Sequence, residues 1–380
     1  MTFWSAIGDG QRVPSVLVLN AGSSSLKWLV LDARTESVLE QDTATWEGTE
    51  GGRHEAEMVS ALAQLPPVEA IGHRVVHGGG RFRDAVLIDD PVRAGIAQLA
   101  ELAPLHNPAA LAGINAARQR LPDLPQVACF DTAFHSTIPE HAATYPLPHE
   151  WTERWGLRRY GFHGLSVQYA VGRVGELLAR PPRRIVVCHL GAGCSVSAAL
   201  DGQSIDTSMG FTPLEGLMMA RRSGSVDPGL LVYLLEHGGL SVSDLDRGLN
   251  EQAGVVGVSG VSADMREVLA AADAGNQRAS LAVAMFVYRV VATVGAMTAA
   301  LGGLDALVFT GGVGEHSAVI RARVTAALEH LGARLDVEQN AAAEPDADVA
   351  AKGSSVRIMV ITAREDLVIL RDVKRVLGWS

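Results

Sequence analysis

Two stretches of the chain share one pattern of apolar and turn residues. Residues 16–32 read VLVLNAGSSSLKWLVLD, and residues 185–201 read IVVCHLGAGCSVSAALD. Each has an aliphatic run, a turn of Gly and small residues, and a second apolar run that ends at Asp. This pattern predicts two β-hairpins, and its recurrence 169 residues later (185 − 16) indicates a duplicated domain. Unrelated apolar hairpins would look alike too, but strand pattern alone does not require the shared Gly and Asp.

The segments around these hairpins alternate between helical and strand patterns. Apolar residues at helical spacing predict helices over Pro91–Leu102, Pro108–Arg120, Val167–Leu178 and Ala318–Leu331. Short apolar runs predict strands over 127–129 and 306–309. Because strands alternate with helices, the predicted class is α/β.

One apolar segment, Leu281–Leu301, is long enough to imitate a membrane span. It is interrupted by Arg289, and an Arg at the centre of a membrane helix costs about 2.5–3.5 kcal/mol on insertion scales. We therefore expect a helix packed within the protein and no membrane partner. Its many small residues suit a central or subunit-interface helix.

Length and charge limit the possible functions. A chain of 380 residues exceeds one compact core, so two domains are expected, with residues 1–13 as a loose extension without signal-peptide character. The net charge is −10 and no basic stripe is present, which argues against a nucleic-acid partner. Three cysteines without CxxC spacing argue against disulfides and zinc and favour the cytoplasm.

Three glycine-rich turns are candidates for phosphate binding: NAGSSSLK at 20–27, GAG at 191–193 and TGGVGEH at 310–316. Backbone N–H groups and hydroxyls in such turns bind phosphate oxygens, and Lys27 adds positive charge. Each would serve equally as a plain turn. No Walker A, Rossmann or protein-kinase string occurs, so the three turns together indicate another nucleotide-binding architecture.

Charged residues beside glycines supply the candidate chemistry. Arg74 in GHRVVHGG (72–79) and Arg222 in a loop are candidate anion clamps, although arginines are usually solvated. Asp131 follows an apolar run and His163 lies between glycines, positions that also suit a helix cap and a turn. No hydrolase-type nucleophile motif occurs. The implied chemistry is charge neutralisation more than proton abstraction.

With these residues in view, the chain resembles the acetate kinase family. The motifs that carry the resemblance are, in order, NAGSSSLK, GHRVVHGG, LHNP (105–108), FDTAFH (130–135), YGFHG (160–164), HLGAG (189–193), DTSMGFTPLEGLMM (206–219), RSG (222–224), VSGVSADMR (258–266), FTGGVGEHS (309–317) and RED (364–366). The resemblance implies duplicated actin-like (ribonuclease H-like) domains with a nucleotide cleft between them. We expect one domain over 14–134 plus 368–380 and a nucleotide-binding domain over 135–367.

The resemblance implies reversible phosphoryl transfer from ATP to acetate, with Mg²⁺ or Mn²⁺, in a homodimer. A carboxylate with a pKa of about 4–5 is already ionised at neutral pH, so the reaction needs no general base. The barrier is electrostatic, because an anion attacks a polyanion in line with the leaving oxygen.

The resemblance also implies roles for individual residues. The catalytic set is Asp131, Arg74, Arg222, His163 and His106. The nucleotide set is Ser23, Ser25, Lys27, His189, Gly191, Gly193, Asp264, Met265, Arg266, Gly312, Val313 and Gly314. The acyl pocket is Val76, Leu105, Phe162 and Pro213, and the metal-associated residues are Asn20 and Glu365.

Two positions depart from the family pattern. Ala192 stands where HLGNG has an amide, which predicts a weaker hold on phosphate. Ala363-Arg-Glu-Asp366 replaces TNEE, so Glu365 or its neighbour Asp366 would serve the metal. A propionate kinase remains an alternative, since one methylene discriminates by only about 1–3 kcal/mol. A non-catalytic ATP switch on the same fold is a further alternative, although a switch would not need the clamp of Arg74, Arg222 and His163.

Overall fold

A computed structural model describes residues 14–22, 25–46, 51–62, 65–103 and 106–379, with side chains from residue 55 in the helix that begins at Gly51. The chain divides into two compact units. Unit 1 comprises Met1–Phe130 and Asp366–Ser380, and unit 2 comprises Asp131–Glu365. The expected boundaries after residues 134 and 367 lie four and two residues beyond these. The expected loose extension at 1–13 lies outside the described residues.

Unit 1 is built on a six-stranded mixed sheet with the strand order β3-β2-β1-β4-β6-β5. Strands β1 and β2 form the first predicted hairpin, with Asn20 opposite Lys27. Strands β4 and β6 run parallel to β1, whereas β5 is antiparallel to β6. The strands are β1 Ser15–Ala21, β2 Ser25–Asp32, β3 Val38–Thr45, β4 Ala70–Val75, β5 Val86–Leu87 and β6 Gln126–Phe130.

Unit 2 repeats this sheet. Its strand order is β11-β12-β10-β7-β8-β9, the order of unit 1 read from the opposite edge, and the strand directions also match. The strands are β7 Arg184–Leu190, β8 Cys194–Leu200, β9 Gln203–Thr207, β10 Ala306–Thr310, β11 Ala347–Asp348 and β12 Arg357–Val360. The second hairpin (β7 and β8) and the duplication are therefore confirmed.

Helices cover the sheet of unit 1. They are α1 Gly51–Ala61, α2 Asp90–Gln98, α3 Asn107–Arg120 and, from the far end of the chain, α15 Glu365–Leu377. The α15 helix packs tightly on β4, because a Cβ atom on Gly72 would overlap Ile369 and lie 3.0 Å from Val373. Paired hydrogen bonds from Arg371 to Glu36 (2.8 and 2.7 Å) also join α15 to unit 1.

Unit 2 carries the remaining helices. They are α4 Glu140–Ala143, α5 His149–Trp155, α6 Gly164–Leu177, α7 Pro228–His237, α8 Val242–Arg247, α9 Gly254–Ser259, α10 Met265–Asp273, α11 Gln277–Leu301, α12 Gly311–His316, α13 Ala318–Ala326 and α14 Val337–Ala341. By length and composition alone, α11 could cross a membrane. One face of α11, including Val283, Phe286 and Val290, is buried, while Leu281 and Tyr288 are exposed, so the predicted burial holds for one face only.

The predicted helices are confirmed with different bounds. The first changes to a 3₁₀ turn at Leu99–Glu101, and α6 starts three residues before Val167. The last helix, α13, ends at Ala326 and is followed by a separate 3₁₀ turn at Glu329–Leu331. The prediction of a glycine-rich turn at 310–316 is wrong. Helix α12 begins directly after β10 and includes the three glycines of this segment.

Candidate functional site

Three of the predicted site residues lie on neighbouring strands of unit 1. Asn20 lies near the end of β1 opposite Lys27 of β2, and Arg74 lies on β4, which runs parallel to β1. Arg74 Nη1 donates a hydrogen bond to Asn20 Oδ1 at 3.5 Å. Because β1 and β4 run parallel, Asn20 and Arg74 lie at the same edge of the sheet, near the carboxyl ends of their strands. The antiparallel pairing of β1 with β2 places Lys27 opposite Asn20. Val76 follows β4 directly and is half-buried.

A buried asparagine connects this edge to His106. Asn107, the first residue of α3, accepts a hydrogen bond from His77 N at 3.1 Å and donates one to His77 O at 3.0 Å. His106 directly precedes α3 and its carbonyl accepts from Ala110 N at 3.2 Å. The Asn107 amide therefore positions His106 relative to the Arg74 strand. Asn107 belongs to the LHNP motif, but no role was predicted for it from the sequence.

Unit 2 contains a cavity of about 1030 Å³. Its lining includes the predicted nucleotide residues of two glycine segments and of the start of α10: Gly191, Gly193, Gly312, Val313, Asp264, Met265 and Arg266. Gly314, also predicted to contact the nucleotide, is not among the lining residues. A Cβ atom added to it would lie 3.4 Å from the backbone of Phe309. Asn250 and His316 also line the cavity and were missed. His316 belongs to the GGVGEHS motif, which was the available signal.

Two histidines and an arginine converge on one turn at this cavity. The rings of His163 and His189 stack with centroids 4.1 Å apart. A Cβ atom on Gly193 would lie 3.1 Å from His163 Nε2 and 3.8 Å from Arg222 Nη1. Only a residue without a side chain leaves this space open, so the predicted clamp residues of unit 2 surround a turn that lines the cavity.

Hydrogen bonds fix the orientation of these groups. His163 Nδ1 pairs with Ser195 Oγ at 3.0 Å, and His189 Nδ1 pairs with Ser166 Oγ at 2.8 Å. His163 has a left-handed backbone (φ 57°) directly before α6, a conformation that costs a non-glycine residue energy. Burial lowers the pKa of Arg222, although a guanidinium stays charged at neutral pH.

The start of α10 forms one wall of the cavity. Asp264 is the N-cap, and its carboxylate accepts hydrogen bonds from Arg266 N (2.9 Å) and from the Arg266 guanidinium. The Arg266 side chain lowers the pKa of Asp264 to about 2. The carboxylate is therefore occupied within its own helix, while Met265 behind it is buried.

Two buried charged residues hold the α12 segment and were missed by sequence analysis. Glu315 Oε1 accepts from Gly311 N at 2.9 Å and from Ala363 N at 3.0 Å. The fully buried Arg321 donates to the carbonyls of Gly314 (3.0 Å) and Glu315 (2.6 Å) and to Asn340. Together they connect the glycines of α12 to the segment that leads to Glu365.

The oxygen donors predicted for a metal are separated along the chain. Asp131 is buried at the start of unit 2, and its carbonyl accepts from Gly164 N at 2.8 Å. Glu365 begins α15. Within the described part of the chain, no group of three or more His, Cys, Asp or Glu side chains could hold a metal ion. Because Mg²⁺ in kinases is bound by one or two carboxylates with phosphate and water, the amide and carboxylate donors of Asn20, Asp131 and Glu365 fit this chemistry.

The remaining predicted residues divide into described and undescribed ones. Ser25 begins β2, and its carbonyl accepts from Gly22 N at 2.7 Å. Phe162 is buried and its carbonyl pairs with His135 Nε2 at 3.0 Å. Pro213 presents its carbonyl to Arg222 Nη1 at 3.3 Å. Ser23 and Leu105 lie outside the described residues, so their roles stay predictions.

Comparison with known proteins supports the resemblance. A model described as the acetokinase family matches residues 54–371. The chain belongs to the acetate kinase family. The acetate kinase of Dictyoglomus turgidum is 45% identical over 395 residues, covering 96% of this chain and 98% of the relative. That of Gloeobacter violaceus is 46% identical over 397 residues, covering 94% and 98%.

Solved structures of the acetate kinase family have the same fold. Acetate kinase of Porphyromonas gingivalis superposes with a TM-score of 0.89 at 38% identity, covering 96% of this chain and all of that one. A propionate kinase from Francisella tularensis superposes with a TM-score of 0.87 at 39% identity, covering 94% and 98%. The predicted family and the duplicated actin-like fold are confirmed, whereas the residue roles stay predictions.

Proposed function

We propose that the protein catalyses reversible phosphoryl transfer from ATP to acetate, giving acetyl phosphate and ADP. The observation that carries the proposal is the placement of His163 Nε2 and Arg222 Nη1 around the Gly193 turn of the unit 2 cavity. Membership of the acetate kinase family supports the same reaction.

In the proposed mechanism, unit 2 binds the nucleotide and neutralises charge. The backbone N–H groups of Gly193 and Gly312 donate to phosphate oxygens, while the Gly191 N–H closes the turn by donating to the Gly193 carbonyl at 3.0 Å. Arg222 and His163 donate to the oxygens of the transferring group, whose negative charge spreads during in-line transfer. The Ser195 and Pro213 contacts hold both donors in place beforehand, so little reorganisation is needed during the reaction.

Unit 1 supplies the other proposed cationic groups. Arg74 and Lys27 attract the acetate carboxylate and a phosphate, respectively, and the ionised carboxylate attacks without a general base. Asn20, Asp131 and Glu365 would hold Mg²⁺ or Mn²⁺, partly through water. The bound ion would supply charge neutralisation at the phosphates.

Trapping the acyl phosphate with hydroxylamine tests the function. Purified protein with ATP, Mg²⁺ and acetate should form acetyl hydroxamate. Arg222→Lys should lower kcat at least 100-fold, because an ammonium cannot reproduce the planar paired donors of a guanidinium. The exposed Arg323→Lys on α13 serves as the matched control and should retain full activity. ATP binding without acyl phosphate from any short-chain acid would favour the ATP switch instead.

A propionate kinase is the second candidate, because the Francisella tularensis propionate kinase is about as similar to this chain as the Porphyromonas gingivalis acetate kinase is. Comparing kcat/KM for acetate, propionate and butyrate distinguishes the two. A higher value for propionate than for acetate would reverse the assignment.

We also propose a cytoplasmic homodimer. Helix α7, described throughout, buries none of its side chains, and Val232 and Tyr233 are 52% and 59% exposed. On α11, Leu281 and Tyr288 are likewise exposed. A second copy of the chain would cover such apolar surfaces. The three buried cysteine thiols suit a reducing compartment.

Mass measurement in solution tests the dimer. Val232→Asp and Tyr288→Asp should each give a monomer or a much weaker dimer, and Arg289→Ala tests the polar position on the α11 surface. A wild-type monomer would refute the proposal, and an unchanged dimer in all three variants would exclude these helices from the interface. Fractionation of the source cells tests the location.

A further inference from the structure

A partly buried polar cluster in unit 2 lies outside the predicted site. It consists of Tyr145, Arg159, Asp206 and Glu215. The Tyr145 hydroxyl donates to Glu215 Oε2, and Arg159 Nη2 donates to Glu215 Oε1 at 2.9 Å. Arg159 Nε lies 4.0 Å from Asp206 Oδ1. The side chain of Arg159 is 18% exposed and that of Glu215 is 32% exposed. Because water screens this ion pair less, its attraction is stronger than that of a fully exposed surface pair.

The cluster fixes the backbone of the segment after β9. Arg159 Nη1 faces three successive carbonyls, those of Thr207 (3.0 Å), Ser208 (3.2 Å) and Met209 (3.3 Å). The Tyr145 oxygen accepts from Phe211 N at 2.8 Å. The path is held closely, since a Cβ atom on Gly210 would overlap both Glu215 Oε2 and the Tyr145 oxygen.

The same segment leads to the proposed substrate groups. Pro213, assigned to the acyl pocket, lies in sequence between Phe211, whose N–H is bonded to Tyr145, and Glu215, which is itself a member of the cluster. The Pro213 carbonyl accepts from Arg222 Nη1 at 3.3 Å. A shift of the segment would therefore move the pocket wall and rotate the guanidinium that faces the Gly193 turn. Displacements of about 1 Å at reacting groups lower rates strongly.

We infer that Tyr145, Arg159 and Glu215 are positioning residues that set the acyl pocket and the orientation of Arg222. The inference rests on the proposed transfer to a short carboxylic acid. None of the three side chains needs to touch a substrate, because their effect passes through the backbone of residues 207–215. The acid site should therefore depend on the cluster far more than the nucleotide site does.

Tyr145→Phe tests the inference, because it removes one hydroxyl and keeps the ring. We expect KM for acetate to rise about ten-fold and KM for ATP to stay within about two-fold of the wild-type value. The ratio of kcat/KM for acetate to kcat/KM for propionate should move closer to one. Tyr160→Phe is the matched control: its hydroxyl donates to Gly156 O at 3.0 Å, outside the 207–215 segment, so both KM values should stay unchanged.

Rescue by a conservative change separates positioning from a general loss of stability. Glu215→Ala should raise KM for acetate more than Glu215→Gln, whose amide can still bond Arg159 and Tyr145. Thermal unfolding is measured for each variant. Unchanged kinetics in Tyr145→Phe, or equal changes for acetate and ATP that follow the loss of Tm, would overturn the positioning role. A wild type that forms no acyl phosphate would instead refute the proposed function itself, along with the inference that rests on it.

Discussion

At the scale of single residues, the candidate site depends on positions where a side chain is missing. Gly193 leaves room for His163 and Arg222. Gly164, directly after His163, has a similar role, because its N–H donates to the carbonyl of Asp131 at 2.8 Å and a Cβ atom there would overlap that oxygen. The placement of the buried Asp131 carboxyl group is therefore coupled to a glycine at the start of α6.

Alanine substitutions in α6 test this coupling. Gly164→Ala should displace the Asp131 backbone and lower kcat at least ten-fold. Gly172→Ala, on an open face of the same helix, meets nothing within 4 Å and should keep full activity while stabilising the helix by about 0.5–1 kcal/mol. Activity assays and thermal unfolding measure both effects, and equal activity in the two variants would contradict the coupling.

Ala192 is the second test at this scale. It lies between the two glycines that line the cavity, and its carbonyl accepts from Ala220 N at 3.2 Å. Ala192→Asn adds an amide donor beside the nucleotide phosphates, and a hydrogen bond to a charged group contributes about 1.5–3 kcal/mol. We expect kcat/KM for ATP to rise about ten-fold or more. An unchanged value would show that the amide does not contribute to phosphate binding here.

Site residues that are marked by the composition of their own short motif could be predicted from the sequence. His163, Gly193 and Arg222 stand in short motifs whose composition already indicates anion binding. Tyr145 and Glu215 are 70 residues apart in sequence, and nothing local in either stretch indicates that they meet. The pairing of Arg321 with Asn340 is equally invisible, because an Arg on a helix usually faces solvent.

At the scale of elements, the two hairpins followed from the apolar pattern, whereas α12 did not. This six-residue helix contains three glycines, Gly311, Gly312 and Gly314, and a glycine costs a helix interior about 1 kcal/mol relative to Ala. Local propensity therefore favours a turn. Tertiary bonds from Glu315 and Arg321 override it, and these contacts cannot be predicted from the segment itself.

Substitutions at Glu315 test how α12 is held. Glu315→Ala leaves Gly311 N and Ala363 N without their acceptor, and each unsatisfied buried group costs about 1–3 kcal/mol. We expect lower stability and at least a ten-fold rise in KM for ATP. Glu315→Gln keeps an oxygen acceptor and should recover most of both. If Gln proves as damaging as Ala, the carboxylate charge and not the two backbone bonds would be the important feature.

At the scale of the whole molecule, each unit contains a buried histidine whose pKa is lowered. His73 pairs with Gln126 Oε1 at 2.9 Å in unit 1, and His135 pairs with Ser204 Oγ at 2.8 Å in unit 2. Burial lowers the pKa of each to about 4, from 6.5. Between pH 6.5 and pH 4 the unfolded chain binds more protons than the folded one. The free energy of unfolding is therefore highest above pH 6.5 and decreases as the pH falls toward 4.

Denaturant unfolding between about pH 7 and pH 4 measures this loss. A pKa difference of 2.5 (6.5 − 4) corresponds to on the order of 3 kcal/mol for each histidine. His135→Gln should destabilise the protein at neutral pH but flatten the pH dependence. His149→Gln is the control, since the His149 side chain is 82% exposed. The same slope in His135→Gln as in wild type would contradict the assignment.

The return of α15 to unit 1 has a consequence for biosynthesis. Unit 2 is one uninterrupted stretch of chain, Asp131–Glu365, whereas unit 1 needs both its early strands and the helix that follows residue 365. While the ribosome is still translating, β4 lacks Ile369 and Val373, the partners that fill the space above Gly72. We therefore expect strands β7 to β10 of the later unit to begin packing during synthesis, before α15 is made. The earlier unit must wait with an uncovered apolar sheet, which makes it the region of the nascent protein most dependent on chaperones.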